Sequence, residues 1–152
     1  MYHNRIFAFP ISSCFISLEL IMAYSVSTAG VAKCNDKYFI AKRKPGKSLG
    51  NLWEFPGGKA EKGELPEESL VREFLEEFNV DIRVNNRLCS GVFTNKENTY
   101  NLIAFKIDIL SEKIELTEHT EYSWVHEDDL SKFKFPESDN IIVNHLLNNG
   151  YQ

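Results

Sequence analysis

The segment that most constrains this fold is residues 45 to 64, PGKSLGNLWEFPGGKAEKGE. It is rich in glycine and too polar for a core strand, so it predicts a long loop. Long loops in small domains usually carry a binding or catalytic site that a rigid scaffold holds in place. The rest of the chain is therefore expected to supply that scaffold.

The segments around the loop predict an alternation of strands and helices. Pro66 opens a helix at its first turn, and apolar residues at positions 70, 71, 74, 75 and 78 follow with helical spacing along one side. Strands are predicted over residues 24–34, 38–44, 81–93, 100–110 and 121–127, and a second helix over residues 138–149. This order predicts a mixed sheet with helices packed on it, of the α+β or α/β class.

Composition limits the class of protein and its partners. A chain of 152 residues with 43% apolar residues can form one compact domain with a core. The net charge of −5 argues against binding to duplex nucleic acid, but leaves small phosphorylated partners open. Cys14, Cys34 and Cys89 form no C-x-x-C pair, which favours buried thiols in a reducing, cytoplasmic setting. The sequence is compatible with a monomer or a homodimer.

The first 22 residues are apolar and end at a second methionine, Met22. A signal peptide is one interpretation, but only Arg5 precedes the apolar run, and Pro10 and Glu19 interrupt it. The same interruptions argue against a membrane span, which needs about 20 apolar residues. We therefore expect an extension over residues 1–22 and a single domain over residues 23–152, with no membrane partner.

The first helix gathers Glu73, Glu76 and Glu77 within an arc of roughly 100°. Like charges at these spacings destabilise a helix by a few tenths of a kcal/mol each. One interpretation is a solvated face balanced by Arg72 and by lysines of the loop. The other is a site for a hard divalent cation, Mg²⁺ or Mn²⁺, which prefers oxygen ligands and shares them with phosphates.

The residues that lead into this helix, together with the helix itself, form a longer pattern, G-x5-E-x7-R-E-U-x-E-E-x-N-U, where U is apolar. Its positions are Gly58, Glu64, Arg72, Glu73, Phe74, Glu76, Glu77, Asn79 and Val80. The pattern resembles the Nudix box, the signature of hydrolases that split nucleoside diphosphates linked to a further group. Asn79 replaces a glycine that ends the helix in a left-handed conformation, and asparagine tolerates that conformation best among the other residues. The resemblance implies an α/β/α sandwich with a mixed sheet and a loop-helix-loop catalytic motif.

The flanking segments narrow the resemblance, which covers residues 24 to about 148. The segment WEFPGGKAEKGE is similar to the MutT-like branch, which acts on nucleoside triphosphates. The segment TEHTEYSWV is similar to the part of that branch that adds one more carboxylate to the metal site, here Glu118. Its neighbour His119 is expected to be structural.

The resemblance also implies roles for the residues of the box. The metal ligands would be Glu73, Glu76, Glu77, Glu118 and the backbone carbonyl of Gly58. Glu73 would be central, either as a ligand alone or also as the base toward the attacking water. Lys59 and Glu118 would orient or activate water, or offset phosphate charge. Glu64 and Arg72 would be structural, because a bidentate arginine pair fixes a carboxylate well.

Substrate contacts are implied for Arg43, Phe55 and Asp139. Arg43 would face the phosphates, although with Lys42 and Lys44 it could equally form a solvated basic stretch. Phe55 would line the nucleoside pocket with its ring or its backbone, with a core position next to Trp53 as the alternative. Asp139 would read the base, a role that passes to Asn140 if the register slips by one, although a helix cap is the alternative for this pair. An ionised aspartate only accepts hydrogen bonds, which argues against 8-oxo-dGTP as the preferred substrate and leaves cytidine-type triphosphates open.

Three functions are compatible with these residues. The first is a Mg²⁺-dependent or Mn²⁺-dependent hydrolase of nucleoside triphosphates that releases a monophosphate and pyrophosphate and so cleans the nucleotide pool. The second is a Nudix hydrolase of another nucleoside diphosphate derivative, such as ADP-ribose. The third is a nucleotide-binding module without turnover, which the intact Glu73, Glu76 and Glu77 argue against.

Overall fold

The computed structural model describes residues 25–46 and 48–152. The extension predicted over residues 1–22 and the domain start predicted at residue 23 lie outside this part. The strands are β1 (Ser25–Cys34), β2 (Lys37–Arg43), β3 (Trp53–Glu54), β4 (Ile82–Asn95), β5 (Asn98–Ile109) and β6 (His119–His126). The helices are α1 (Pro66–Phe78) and α2 (Glu137–Asn149), and a short 3₁₀ helix spans Glu127–Lys132.

The strands form a mixed sheet in the order β3-β2-β1-β5-β4, with β6 on β2. β1 runs parallel to β5, whereas β4 pairs with β5, and both β3 and β6 pair with β2, in antiparallel fashion. β1 turns into β2 through Asn35 and Asp36, whose φ values of 48° and 59° are those a tight hairpin turn requires. The mixed sheet with helices confirms the predicted α/β class.

The two helices cover opposite faces of the sheet. Successive residues of a strand point to opposite faces, and in β2 Tyr38 and Ile40 belong to one apolar cluster while Phe39 belongs to another. The first cluster contains Ile142 and Leu146 of α2, and the second contains Leu70, Phe74 and Phe78 of α1. The architecture is therefore three layers, helix, sheet and helix.

Helix α1 begins and ends as its sequence predicts. Pro66 occupies its first turn, and the N–H of the preceding Leu65 donates to a carboxylate oxygen of Glu68 at 3.1 Å. At the other end Asn79 adopts φ 52° and ψ 42°, and its N–H donates to the Leu75 carbonyl at 3.0 Å. The left-handed conformation predicted for Asn79 is confirmed.

The long loop does not lie free above the sheet, because residues 56 to 60 are hydrogen-bonded along β1. The N–H groups of Thr28 and Gly30 donate to the carbonyls of Gly58 and Pro56 at 2.7 and 2.8 Å. The two backbones are so close that a Cβ atom on Gly57 would lie 2.1 Å from the Thr28 carbonyl oxygen. The loop is thus fixed to the strand that runs through the centre of the molecule.

Three local expectations need correction. Strand β3 lies inside the predicted loop, where the pairing of Glu54 with Ala41 of β2 makes two residues extended. Val71 and Leu75 are 40% and 52% exposed, because they lie one helical step, about 100°, from the buried line of α1. Cys34 is exposed, contrary to the expectation of buried thiols, since β1 ends there at the surface.

Among the described residues, neither helix has the length and the apolar character that a membrane span requires.

Candidate active site

A cleft of about 320 Å³ brings many of the predicted site residues together. Among the described residues, the predicted ones that line it are Arg43, Phe55, Gly58, Lys59, Glu73, Glu77 and Asp139. Three residues with a predicted metal or substrate role, Glu76, Glu118 and Asn140, are absent from the described residues that line this cleft. The loop, α1 and the start of α2 therefore meet at one concave surface.

Arg72 connects the start of the motif with its helix. Its guanidinium donates to both carboxylate oxygens of Glu64, at 2.9 and 3.1 Å, and to Glu73 Oε1 at 2.9 Å. It also donates to the backbone carbonyl of Lys59 at 3.2 Å. The hydrogen bonds from Arg72 to Glu64, and then the one from the N–H of Glu61, lower the pKa of Glu64 to about 2. In this structure Arg72 contacts motif residues and fixes the loop to α1.

Gly58 lies against the carboxylate of Glu73. A Cβ atom at Gly58 would come within 2.3 Å of Glu73 Oε1, so any other residue would displace this carboxylate. The Gly58 carbonyl oxygen accepts hydrogen bonds from Thr28 N at 2.7 Å and from Thr28 Oγ1 at 3.1 Å. Both lone pairs are used, so the predicted role of Gly58 as a metal ligand is not seen here and stays a prediction that requires a change of partner.

Glu77 combines a buried oxygen atom that lacks a hydrogen-bond partner among the described residues with nearby negative charges. Its Oε2 atom is buried and has no hydrogen-bond partner in the described part of the chain. Burial, and then the negative charges of Glu54 and Glu73, raise the pKa of Glu77 to about 8. A buried carboxylate oxygen without a partner is costly, so this atom marks a place where a cation would be stabilised.

A buried acid that the sequence did not single out, Glu54, lies beside Glu77. Both of its carboxylate oxygens accept hydrogen bonds from Arg43 Nη1, at 3.2 and 3.0 Å. His119 Nε2 lies 2.7 Å from Glu54 Oε1, and the His119 ring stacks on Phe78 at 4.8 Å. His119 is thus buried in the interior, as a structural residue would be.

Asp139 is buried at the first turn of α2 and faces the loop. Its Oδ1 accepts a hydrogen bond from the N–H of Phe55 at 2.6 Å, and its Oδ2 accepts one from Ser138 Oγ at 2.8 Å. Burial, and then the charge of Glu54, raise the pKa of Asp139 to about 7. The Phe55 ring stacks on Phe135 at 5.7 Å inside the core, so the loop presents its backbone at this point.

The structure also separates the alternatives for the Asp139 and Asn140 pair. Asn140 is exposed, and its amide donates to the Phe135 carbonyl at 3.4 Å. The residue that precedes α2 is Pro136, and Asp139 accepts from the loop and from Ser138 rather than capping the helix. Of the two residues, Asp139 is the one that reaches the cleft.

The comparison with known proteins identifies the family. A family model for the NUDIX domain matches residues 28–145. The chain belongs to the Nudix family. It is 33% identical over 126 residues to an 8-oxo-dGTP diphosphatase of Buchnera aphidicola subsp. Schizaphis graminum (strain Sg), covering 82% of this chain and 95% of that relative. These matches make the chain a MutT-like Nudix hydrolase.

Two further relatives extend this result. A CTP pyrophosphohydrolase of Escherichia coli (strain K12) is 24% identical over 111 residues, covering 73% of this chain and 82% of the relative. The crystal structure of a MutT protein from Methanosarcina mazei Go1 has a TM-score of 0.75 at 21% identity, covering 85% of this chain and 96% of that one. At that identity the structure shows a shared Nudix fold.

Two glutamates assigned by the Nudix resemblance lie at the edge of the site. The Glu76 side chain is 58% exposed, and its carboxylate accepts a hydrogen bond from Arg72 at 3.3 Å. Glu118 is half-buried, and its charge contributes to the raised pKa of Glu77. Their roles as metal ligands stay predictions.

The oxygen donors present fit the divalent cation that Nudix hydrolases generally use. Glu73 and Glu77 both line the cleft, and the unpartnered Glu77 Oε2 supplies a buried carboxyl oxygen of the kind Mg²⁺ and Mn²⁺ prefer, which a bound cation would keep ionised despite its raised pKa. Ligand atoms of Glu54, Glu77 and His119 also lie within 4.8 Å of one another. Glu54, however, already accepts from Arg43 and contacts His119, so it is better suited to hold Arg43 than to bind a metal.

Sequence reasoning missed Glu54, Tyr100 and Ser138. The signal for Glu54 was present, since it is an acid within the otherwise apolar run LWEF, and a buried acid usually has a dedicated partner. Tyr100 carried no such signal, because it reads as an ordinary aromatic strand residue. Ser138, which precedes Asp139, carried no separate signal in the sequence.

Proposed function

We propose that the protein is a divalent-metal-dependent pyrophosphohydrolase of nucleoside triphosphates, which releases a nucleoside monophosphate and pyrophosphate. One observation carries the proposal. A single cleft contains the acidic pair Glu73 and Glu77, the basic pair Arg43 and Lys59, and the buried Asp139. These groups match the three parts of a nucleotide complex, namely a cation, a phosphate chain and a base.

The acidic groups would hold the cation. Glu73 and Glu77 in the cleft, with Glu76 and Glu118 nearby, are the residues proposed to bind Mg²⁺ or Mn²⁺. A divalent cation bound there would neutralise charge on the phosphate chain and favour attack by water. Arg72 keeps Glu73 in one rotamer through a hydrogen bond of 2.9 Å, so the carboxylate is oriented before substrate arrives.

The basic groups would receive the phosphates. Arg43 is held at the cleft by Glu54, and Lys59 reaches the cleft from the loop beside the glycine pair. Fixed cations next to the phosphate chain stabilise the charge that develops during phosphoryl transfer. Binding of the phosphates is therefore assigned to Arg43 and Lys59.

Asp139 is proposed to read the base. An ionised carboxylate accepts only, and so selects a base with an exocyclic amino group, whereas a protonated one also donates. Because the pKa of Asp139 is raised to about 7, both forms exist near neutral pH. Cytidine-type triphosphates and 8-oxo-dGTP are thus both substrates to test, and the two curated relatives described above bear one of these names each.

A nucleotide panel tests the proposal. Purified protein is incubated with CTP, dCTP, 8-oxo-dGTP, the common triphosphates and ADP-ribose, with Mg²⁺ or Mn²⁺, and the products are separated. A monophosphate with pyrophosphate is the expected result for at least one triphosphate. Cleavage of ADP-ribose alone would support the second function, and binding without any cleavage would support the module without turnover.

Matched variants connect the activity to the cleft. Glu73→Gln keeps the shape of the side chain and is expected to lower turnover by about two orders of magnitude or more without unfolding the protein. Glu67→Gln, which changes an exposed acid in the first turn of the same helix, is expected to leave turnover unchanged. Equal rates in the two variants would contradict the assignment of Glu73.

A further inference from the structure

Lys59 is fixed at both of its ends. Its backbone forms a bridge with Ser27 of β1 and accepts the hydrogen bond from Arg72 described above. Its side chain then crosses the cleft wall to Tyr100, where Nζ donates to the phenol oxygen at 2.7 Å and lies 4.4 Å from the ring centroid. Exposed lysine side chains normally sample many rotamers, so a terminal contact of this kind selects one position for the charge.

Tyr100 is built to provide a rigid contact. Only 5% of it is exposed, and its ring stacks on Phe93 at 5.3 Å with 22° between the planes. The two residues are also direct partners in the β4–β5 ladder. The phenol oxygen is therefore held by two strands of the sheet rather than by the loop.

The chemistry of the contact leaves the ammonium group available to substrate. A lysine ammonium has three N–H donors and a phenol oxygen can accept one of them, so two remain. The negative face of an aromatic ring also attracts a cation. Both interactions hold the charge in place without neutralising it, because neither partner is anionic.

We propose that Tyr100 is a positioning residue that holds the ammonium group of Lys59 where the phosphate chain of the substrate binds. The inference rests on the proposed function, because it assigns the phosphates to the cleft that Lys59 lines. Tyr100 acts through Lys59 and does not itself contact the phosphates.

A double-mutant cycle tests the proposal. Tyr100→Phe removes the hydroxyl and keeps the ring that stacks on Phe93, and it is expected to lower kcat/KM roughly five- to tenfold, the value of one hydrogen bond. Lys59→Met is expected to have at least that effect, and Tyr100→Phe is expected to add nothing in the Lys59→Met background. An equal loss in both backgrounds, or no loss in the wild-type background, would overturn the proposal.

Two measurements separate positioning from other causes. Tyr122→Phe removes the hydroxyl of a tyrosine on β6 that is 43% exposed, and it is expected to leave kcat/KM unchanged. Thermal unfolding of Tyr100→Phe is expected to match the wild type within a few degrees. A large fall in unfolding temperature together with weaker binding of the free nucleoside would assign the effect to the fold and overturn the proposal.

Binding measurements separate this inference from the proposed function. If the wild type cleaves no nucleotide, the proposed function fails, but calorimetric titration with a triphosphate still reports on Lys59. Tyr100→Phe is then expected to weaken the triphosphate several-fold and to leave the matching nucleoside, which has no phosphate, unaffected. An equal effect on both ligands, or on neither, would overturn the positioning role.

Discussion

The guanidinium of Arg43 and the buried carboxylate of Glu54 form an ion pair of 3.0 Å at the wall of the cleft. The pair joins the end of β2 to β3, and the same carboxylate contacts His119 of β6. Arg43 is therefore a structural partner as well as a proposed phosphate ligand. The carboxylate of Glu54 thus holds the positive charge of Arg43 in the cleft, and substrate does not need to contact Glu54.

Removal of Arg43 is expected to cost stability as well as activity. Arg43→Ala leaves Glu54 buried without its cation, and we expect the free energy of unfolding to fall by about 2–4 kcal/mol. Urea denaturation measures it, and Arg83→Ala is the control, because the Arg83–Asp108 pair is 65% and 51% exposed and is expected to contribute less than about 1 kcal/mol. Equal effects in both variants would show that burial of Glu54 is not decisive.

Mg²⁺ is expected to stabilise the wild type and not Glu77→Gln. A ligand that binds the folded state raises its stability by mass action, and millimolar Mg²⁺ is expected to raise the unfolding temperature by a few degrees, about 1 kcal/mol for a domain of this size. Addition of a chelator should reverse the shift. Glu77→Gln removes the carboxyl group that would ionise on binding Mg²⁺, so a Mg²⁺ shift equal to that of the wild type would contradict the assignment. Glu67→Gln should keep the full shift.

The raised pKa of Asp139 predicts a pH dependence of stability. Folding raises this pKa from its ordinary value of 3.8 to about 7, so the folded state disfavours the ionised form. Stability from this group is complete below pH 3.8 and is lost as the pH rises through about 7, by roughly 2–4 kcal/mol. Asp139→Asn cannot ionise, so the stability difference, wild type minus variant, should fall across this window in urea titrations at several pH values. A constant difference would contradict the burial of this carboxyl.

Asn79 predicts a graded effect on stability at the end of α1. Its left-handed conformation costs a residue with a Cβ atom about 1–2 kcal/mol, least for asparagine and nothing for glycine. Asn79→Ala is expected to lower the free energy of unfolding by about 1 kcal/mol, and Asn79→Gly to preserve or raise it, with kcat unchanged in both. Chemical denaturation provides the measurement. A glycine variant less stable than the alanine variant would disprove the role of backbone conformation.

Local patterns in the sequence were sufficient for the motif and for every helix and strand named in the sequence analysis, but not for the short strand β3. The spacing of apolar residues gave α1, its end at Asn79 was predictable from one residue type, and the box placed Glu73 and Glu77 on one helix. The class of fold followed from the order of strands and helices. Each of these depends on residues that are close in the chain.

The rest of the site depends on contacts between distant segments. Glu54 meets Arg43 only because β3 pairs with β2, and Tyr100 meets Lys59 only because the loop is hydrogen-bonded along β1. The protonation state of Asp139 could not be predicted either, since it depends on burial and on the charge of Glu54, a residue of β3 that is distant in the chain. Residue type alone suggested an ionised carboxylate, whereas the fold gives it a pKa near neutrality.

The hydrogen bonds between residues 56 to 60 and β1 have a consequence beyond catalysis. On its other side β1 is already paired with β5 over residues 25 to 32, so the loop occupies the edge of the strand that would otherwise offer free N–H and carbonyl groups. Exposed strand edges recruit further chains and lead to aggregation. A substitution at Gly57, where no side chain fits, should therefore be seen first as insoluble protein in the cell, before any loss of turnover can be measured.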